Sequence, residues 1–280
     1  MKVGIIGFGF VGKALFHGLK KNVEIIKIDP ELGTDINDLK EFGPEFVFIS
    51  VPTPMNNDGS QDTSILNLVF NQLQDSKLNA TFILKSTVTP NNLNLLEKKL
   101  DFVYNPEFLR EKSAVEDFIN GEIILFGGKK ELCKKASNFY SDFTLCKQKE
   151  HFIADKATAS LVKYAINSFL ATKVIYFNQL ESVLRLSSPD TDWSSFVKII
   201  SADKRIGESH MDVPGHDGRK GFGGACFPKD ISALEKFSSE KGINFSLIKE
   251  VIKINNKIRS VYNDPIEREA DQNISFKGID

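Results

Sequence analysis

The chain has 280 residues, 41% of them hydrophobic, and 36 Lys+Arg against 37 Asp+Glu leave a formal charge of −1. That balance gives no sequence-wide attraction to nucleic acid or an anionic membrane surface, and no apolar run reaches the ~18 residues of a membrane-spanning helix. Three cysteines exclude a disulfide framework and fit a reducing, cytoplasmic setting, and the strand-like opening MKVGIIG carries no export signal.

Residues 1–150 alternate short β-rich runs with helical stretches. Strands are predicted at 2–7, 24–28, 46–51, 81–86, 102–105 and 122–127. Most are continuous apolar runs, as strands buried on both faces of a parallel sheet require. Helices are predicted near 10–21, 62–76, 90–99 and 129–141, with Asp62 as an N-cap and Pro90 in a first turn. This alternation predicts a doubly wound α/β domain of Rossmann type. From Ile153 to Leu186, apolar residues recur at spacings of three and four with no Pro or Gly, predicting one helix of about 50 Å. A helix at 190–202, a Gly/His/Pro/Asp-rich loop at 203–226 and helices at 229–241 and 243–261 complete an all-helical second domain, 151–262. The polar tail, 263–280, is expected to be loosely ordered. The apolar surface of the long helix exceeds what one small domain covers, which points to a homodimer.

Five motifs carry chemistry. Gly7-Phe8-Gly9-Phe10-Val11-Gly12 follows a predicted strand and opens a helix. Its glycines permit a tight turn, close approach of a pyrophosphate and close packing of helix on strand. Asp29 ends the next strand, 22 residues after Gly7, where a carboxylate can accept both ribose hydroxyls of NAD. The other reading is a tight turn without a ligand. Ser50-Val51-Pro52-Thr53-Pro54 and Lys85-Ser86-Thr87-Val88-Thr89-Pro90 follow the third and fourth strands, at the sheet edge where ligands bind, though both also read as ordinary turns. In Asn105-Pro106-Glu107-Phe108-Leu109-Arg110-Glu111, a helical turn would put Glu107 and Glu111 on one face. Lys163 and Asn167 share a face of the long helix, a position at which lysine is usually solvated. In Gly221-Phe222-Gly223-Gly224-Ala225-Cys226-Phe227-Pro228-Lys229-Asp230, glycines free backbone N–H groups to surround an oxygen, and Cys226 precedes a helix that favours a thiolate. A cysteine alone is more often a small buried apolar residue. Cys133 and Cys146 read as structural.

Together, in this order and from Met1 to about Arg259, these motifs resemble the UDP-glucose 6-dehydrogenase family, within the UDP-glucose/GDP-mannose dehydrogenase group. The resemblance implies a four-electron oxidation of a sugar CH2OH to a carboxylate with two NAD+. It implies Cys226 as the nucleophile that forms a thiohemiacetal and then a thioester. It further implies Lys163 and Asn167 at the oxyanion, Asp230 organising water, Glu107 as acid/base and Thr87 near the reacting centre. NAD would be held by Gly7, Gly9, Phe10, Val11, Gly12, Asp29, Pro52, Thr53, Ser86, Thr87 and Lys229. A nucleotide sugar, UDP-glucose first, would meet Glu107, Phe108, Leu109, Arg110, Lys163, Asn167, Phe222, Gly223 and Gly224, with Arg205 reaching its phosphate from a partner subunit. No metal is implied.

The family carries a further Rossmann-like domain after its central helices. Up to Asp280 there is no second βαβ series, so the chain reads as a short form lacking that domain, with NAD binding intact and nucleotide-sugar binding weakened. Lys112 also replaces the small residue usual after Arg-Glu. GDP-mannose or UDP-N-acetyl-mannosamine remain alternative substrates. A two-electron β-hydroxyacid dehydrogenase would have no need of the thiol, and a silent NAD-binding subunit would release no NADH.

Overall fold

The computed structural model describes residues 1–147, 150–262, 264 and 266–276. By its internal contacts the chain forms two compact units, Met1–Thr53 with Asp62–Lys163, and Pro54–Gln61 with Tyr164–Asp280. The long helix therefore begins in the first unit and continues in the second.

The first unit is built on a seven-stranded sheet: β1 (Lys2–Ile6), β2 (Glu24–Ile28), β3 (Phe46–Ile49), β4 (Thr81–Leu84), β5 (Val103–Tyr104), β6 (Ile124–Gly127) and β7 (His151–Ala154), in the order β2-β1-β3-β4-β5-β6-β7. Pairing is parallel except between β5 and β6, where Tyr104 faces Gly127 antiparallel. Alternation along the strands feeds two cores. Phe46, Phe48, Val3, Ile5 and Ile83 point to one face, and Val47, Ile49, Phe82 and Leu84 to the other. Helices α1 (Phe10–Gly18), α5 (Ala114–Asn120) and α6 (Lys130–Phe143) cover the first face with Leu15, Phe118 and Phe139. Helices α2 (Ile36–Phe42), α3 (Ser64–Ser76) and α4 (Pro90–Glu97) cover the second with Leu39, Phe70 and Leu93. This is the doubly wound arrangement expected from the sequence.

Three local expectations change. Ile153 belongs to β7, an edge strand whose Phe152 and Ile153 are exposed, and the long helix starts later, as α7 (Lys156–Ser187). At 1.5 Å per residue its 32 residues span about 48 Å. The N-cap of α3 is Thr63, not Asp62, although Asp62 Oδ1 still accepts the Ser64 N–H. Residues 105–110 are not helical, and a short 3-10 turn begins only at Glu111, so Glu107 and Glu111 do not share a helix face. Glu107 is buried and Glu111 exposed.

The second unit packs part of α7 with α8 (Trp193–Ser201), α9 (Phe227–Glu240), α10 (Ser246–Arg259) and α11 (Glu267–Asp271). Ala171 and Ile175 meet Ile231 of α9 and Ile248, Val251 and Ile252 of α10. The sequence reads 263–280 as a loose tail, yet α11 lies within it and Glu269 is buried there. Residues 263, 265 and 277–280 of that tail lie outside the described residues. Among the described residues, no helix is long and apolar enough to cross a membrane.

Candidate active site

In the first unit the chain turns back at the switch point between β1 and β3, where open α/β sheets bind ligands. Gly7 holds φ +85°, and a Cβ there would lie 2.7 Å from the Ser50 carbonyl oxygen. Ser50 Oγ donates to the Gly7 carbonyl at 2.8 Å, tying the two strand ends together. A Cβ on Gly12 would meet Gly7 O at 2.2 Å, so the helix can pack this closely only without one. Gly9 differs: a Cβ there would meet nothing within 4 Å. Packing of the protein does not require glycine at 9, whereas a pyrophosphate approaching the backbone does. The first turn of α1 itself contains no acidic residue. Asp29 Oδ2 accepts the Phe8 N–H at 2.6 Å, and Oδ1 accepts from Glu31 N. The carboxylate thus stands against the glycine turn with lone pairs left for ribose hydroxyls. These residues fit a dinucleotide.

The loops after β3 and β4 brace one another. Thr53 Oγ1 donates to the Thr87 carbonyl at 3.1 Å and Ser86 Oγ to the Val51 carbonyl at 2.7 Å. Thr53, Ser86 and Thr87 are all buried. Pro54–Gln61 departs from this unit and belongs to the second.

Glu107 and Lys163 form a buried ion pair, Nζ to Oε1 at 3.2 Å, with side chains 3% and 7% exposed for Lys163 and Glu107. Glu107 Oε2 accepts the Leu109 N–H at 2.7 Å. Lys163 Nζ also sits 5.5 Å from the centre of the Phe108 ring. The lysine on the long helix is therefore buried and partnered, against the usual solvated position. Arg110 turns to Asp117, pairing at 2.7 Å with its side chain mostly exposed. Behind this pair lies a network the sequence does not announce. Lys85, also buried, donates to Asn105 Oδ1 at 2.8 Å and to Tyr140 Oη at 3.2 Å. Burial lowers its pKa to about 8, although the Glu107 charge pulls the other way. A cavity of about 560 Å³ lined by Ser137, Tyr140, Cys146 and His151 contains none of the motif residues.

In the second unit, Cys226 is the N-cap residue of α9 and Asp230 follows one turn on, its N–H donating to the Cys226 carbonyl at 3.0 Å. Asp230 is buried. Asn167 Nδ2 donates to its Oδ2 at 2.7 Å, and Lys229 Nζ to Oδ1 at 2.5 Å. The preceding loop is shaped by side chains. Gly221 N donates to Asn178 Oδ1, Phe222 N to Asn255 Oδ1 and Gly224 N to Glu269 Oε1. These three amides hold the loop. Arg205 pairs with Asp203 within its own turn and is exposed. Asn178, Asn255, Arg259 and Glu269 escape motif reading. A signal for two of them exists: Ile248, Val251, Ile252, Asn255 and Arg259 share the buried face of α10, so polar residues stand at core positions.

Two models of one family match the chain. The NAD binding domain of the UDP-glucose/GDP-mannose dehydrogenase family matches residues 31–144, and its central domain residues 157–257. The UDP-glucose 6-dehydrogenase of Rickettsia bellii is 35% identical over 244 residues, 84% of this chain and 54% of that protein. The chain thus spans about half the length of the curated relatives it matches. The UDP-glucose dehydrogenase structure of Pyrobaculum islandicum superposes with a TM-score of 0.73 at 25% identity, covering 91% of this chain and 68% of that one. The UDP-D-ManNAc dehydrogenase of Pyrococcus horikoshii shares the fold at a TM-score of 0.73 and 20% identity, over 93% of this chain and 69% of that one. With the switch-point glycines, the buried Lys163–Glu107 pair and the Cys226–Asp230 turn in place, the chain belongs to the UDP-glucose/GDP-mannose dehydrogenase family.

Proposed function

We propose that the protein is an NAD-dependent nucleotide-sugar dehydrogenase that oxidises a C6 hydroxymethyl to a carboxylate, with UDP-glucose as the first candidate substrate. One observation carries the reading. On successive turns of α7, two buried polar side chains each hold a buried carboxylate: Lys163 holds Glu107, and Asn167 holds Asp230. Buried charges are costly unless paired, so an apolar helix does not carry such groups for stability. Acid, base and cation are the equipment that oxidation at a hydroxyl and a carbonyl needs.

Gly7, Gly9, Gly12 and Asp29 would hold NAD, which supplies the acceptor for two electrons at each of two oxidations. Phe10, Val11, Pro52, Thr53, Ser86, Thr87 and Lys229 are proposed around it. Glu107 takes the proton of the C6 hydroxyl, and Lys163 stabilises the oxygen where negative charge grows. The Cys226 sulfur adds to the C6 aldehyde, its proton passing to the carbonyl oxygen, and the carbon is then oxidised to a thioester. Water, oriented by Asp230, releases the carboxylate and restores the thiol. Asn167 fixes the Asp230 carboxylate. Phe108, Leu109, Arg110, Phe222, Gly223 and Gly224 are the proposed substrate wall, and Arg205 is proposed to serve the partner's substrate.

The partner is a second copy of the chain. Phe169, Tyr176 and Val183 recur every seven residues on α7 and are 67%, 60% and 57% exposed, which supports a helix-to-helix dimer. Cys133, Cys146 and Cys226 form no disulfide, which supports work in the cytoplasm.

Counting NADH at 340 nm tests the function. Two per UDP-glucose is expected, one would indicate a two-electron alcohol dehydrogenase, and none a silent NAD-binding subunit. A Cys226→Ser protein that still makes two NADH per sugar at the normal rate would remove the covalent step.

A further inference from the structure

We propose that Glu269, held by the buried guanidinium of Arg259, is a positioning residue that clamps the Cys226 loop. Neither residue falls within 157–257, the span matched by the central-domain family model. The inference rests on the reading of Cys226 as the nucleophile.

The Arg259 side chain is fully buried and the Glu269 side chain 1% exposed, with Nη2 to Oε1 at 2.7 Å. Arg259 Nη1 pairs with Asp217 Oδ2, also at 2.7 Å. The same Glu269 Oε1 accepts the Gly224 N–H at 3.0 Å, and Oε2 accepts the Ile266 N–H at 3.2 Å. One carboxylate therefore joins the ion pair, the cysteine loop and the start of its own helix. Gly224 sits at φ +75°, a conformation glycine adopts without strain, two residues before Cys226. Gly223 seals the arrangement: a Cβ there would fall 2.3 Å from both Arg259 Nη2 and Glu269 Oε1. The ion pair presses against the bare Cα of the loop, so the loop cannot shift toward it.

The segment bearing Glu269 is itself anchored. Met55 N donates to the Gln272 carbonyl at 3.0 Å, and Asn273 Nδ2 returns a bond to the Met55 carbonyl at 2.8 Å. Charge matters as well as shape. An amide at 269 would present its NH2 group to the guanidinium or to the Ile266 N–H, opposing donor to donor. Asp217 supplies the control, because it neutralises the same arginine and has no bond to Gly224.

The test compares Glu269→Gln with Asp217→Asn in the full chain. Two rates are read: alkylation of Cys226 by iodoacetamide, quantified on its peptide, and steady-state turnover. Glu269→Gln is expected to raise Cys226 alkylation at least five-fold and to lower kcat at least ten-fold, with the KM for NAD+ unchanged. Asp217→Asn should leave both within two-fold. A folded Glu269→Gln protein with wild-type alkylation overturns the clamp, and so does an Asp217→Asn protein that matches it. If Glu269→Gln does not fold, hydrogen exchange in the wild type decides. A protected Gly224 amide supports the bond, and exchange at the free-peptide rate overturns it. Alkylation requires no dehydrogenase activity. A chain that passes the alkylation test but makes no NADH loses the proposed function and keeps the clamp.

Discussion

Lys85 offers a test of the first unit that depends on no ligand. The residue is 3% exposed, and its amine is hydrogen-bonded to the neutral Asn105 and Tyr140. Burial lowers its pKa from the ordinary 10.5 to about 8, with Glu107 opposing the shift. That difference is worth about 3 kcal/mol. Below pH 8 the amine is charged in both states, and the folded state bears the whole cost. Between pH 8 and 10.5 the unfolded chain still binds a proton that the folded chain has released. Stability from this group therefore rises with pH across that window. From pH 7 to pH 10 the wild type should regain about 2–3 kcal/mol relative to a Lys85→Met protein, a comparison that cancels the titration of groups that do not interact with Lys85. Urea unfolding followed by circular dichroism at the two pH values measures the difference. In protein labelled with 13C-lysine, the resonance missing from Lys85→Met should titrate near pH 8. A stability difference that does not change with pH, together with a resonance titrating above 10, would refute the reasoning.

Three further expectations concern the paired groups and the glycine turn. Lys163→Met removes the ion-pair partner of the buried Glu107 and should cost about 3–5 kcal/mol in urea unfolding, most of it recovered by adding Glu107→Gln. Gly12→Ala drives a Cβ into the Gly7 carbonyl and should destabilise the protein by about 1–3 kcal/mol. Gly9→Ala has open space and should unfold within about 0.5 kcal/mol of the wild type. Calorimetry should nonetheless show NAD+ binding to Gly9→Ala weakened at least ten-fold, and unchanged affinity would remove the pyrophosphate from that position.

The sheet was legible because its strands are apolar on both faces, a pattern that needs no partner to interpret. β7 was not. It has four residues, its Phe152 and Ile153 are exposed at the edge, and Ile153 also falls in helical register with Ala157. Glu107 was legible as a residue but not as a geometry: the helical turn expected there is extended chain, and its partner is Lys163 rather than Glu111. The glycine motif could be read because Gly7 and Gly12 answer steric demands of the fold itself, while Gly9 leaves open space beside the backbone. The cysteine loop was read as a cradle of free amides, whereas three of those amides are taken by Asn178, Asn255 and Glu269. Those acceptors lie 33 to 45 residues away in sequence, and of the three only Asn255, on the buried face of α10, is marked by a local pattern.

The distribution of buried charge separates what holds this protein together from what it is built to do. Lys156, Lys163 and Arg259 are buried cations, and each meets a carboxylate: Glu97, Glu107, and Asp217 with Glu269. The buried carboxylates Glu181 and Asp230 meet Lys220 and Lys229 in turn. Well-packed apolar side chains of the same volume would serve stability as well or better at such positions. A fold that carries ionised groups there breaks its own local rules, and such breaks concentrate at functional sites. Two of the pairs involve residues the motifs had already singled out: Glu107 with Lys163, and Asp230 with Lys229. Arg259 and Glu269 appear in no motif, yet they break the same rule beside the same cysteine loop. The Glu269–Gly224 hydrogen bond, more than the violation itself, supports the link proposed between these two residues and Cys226.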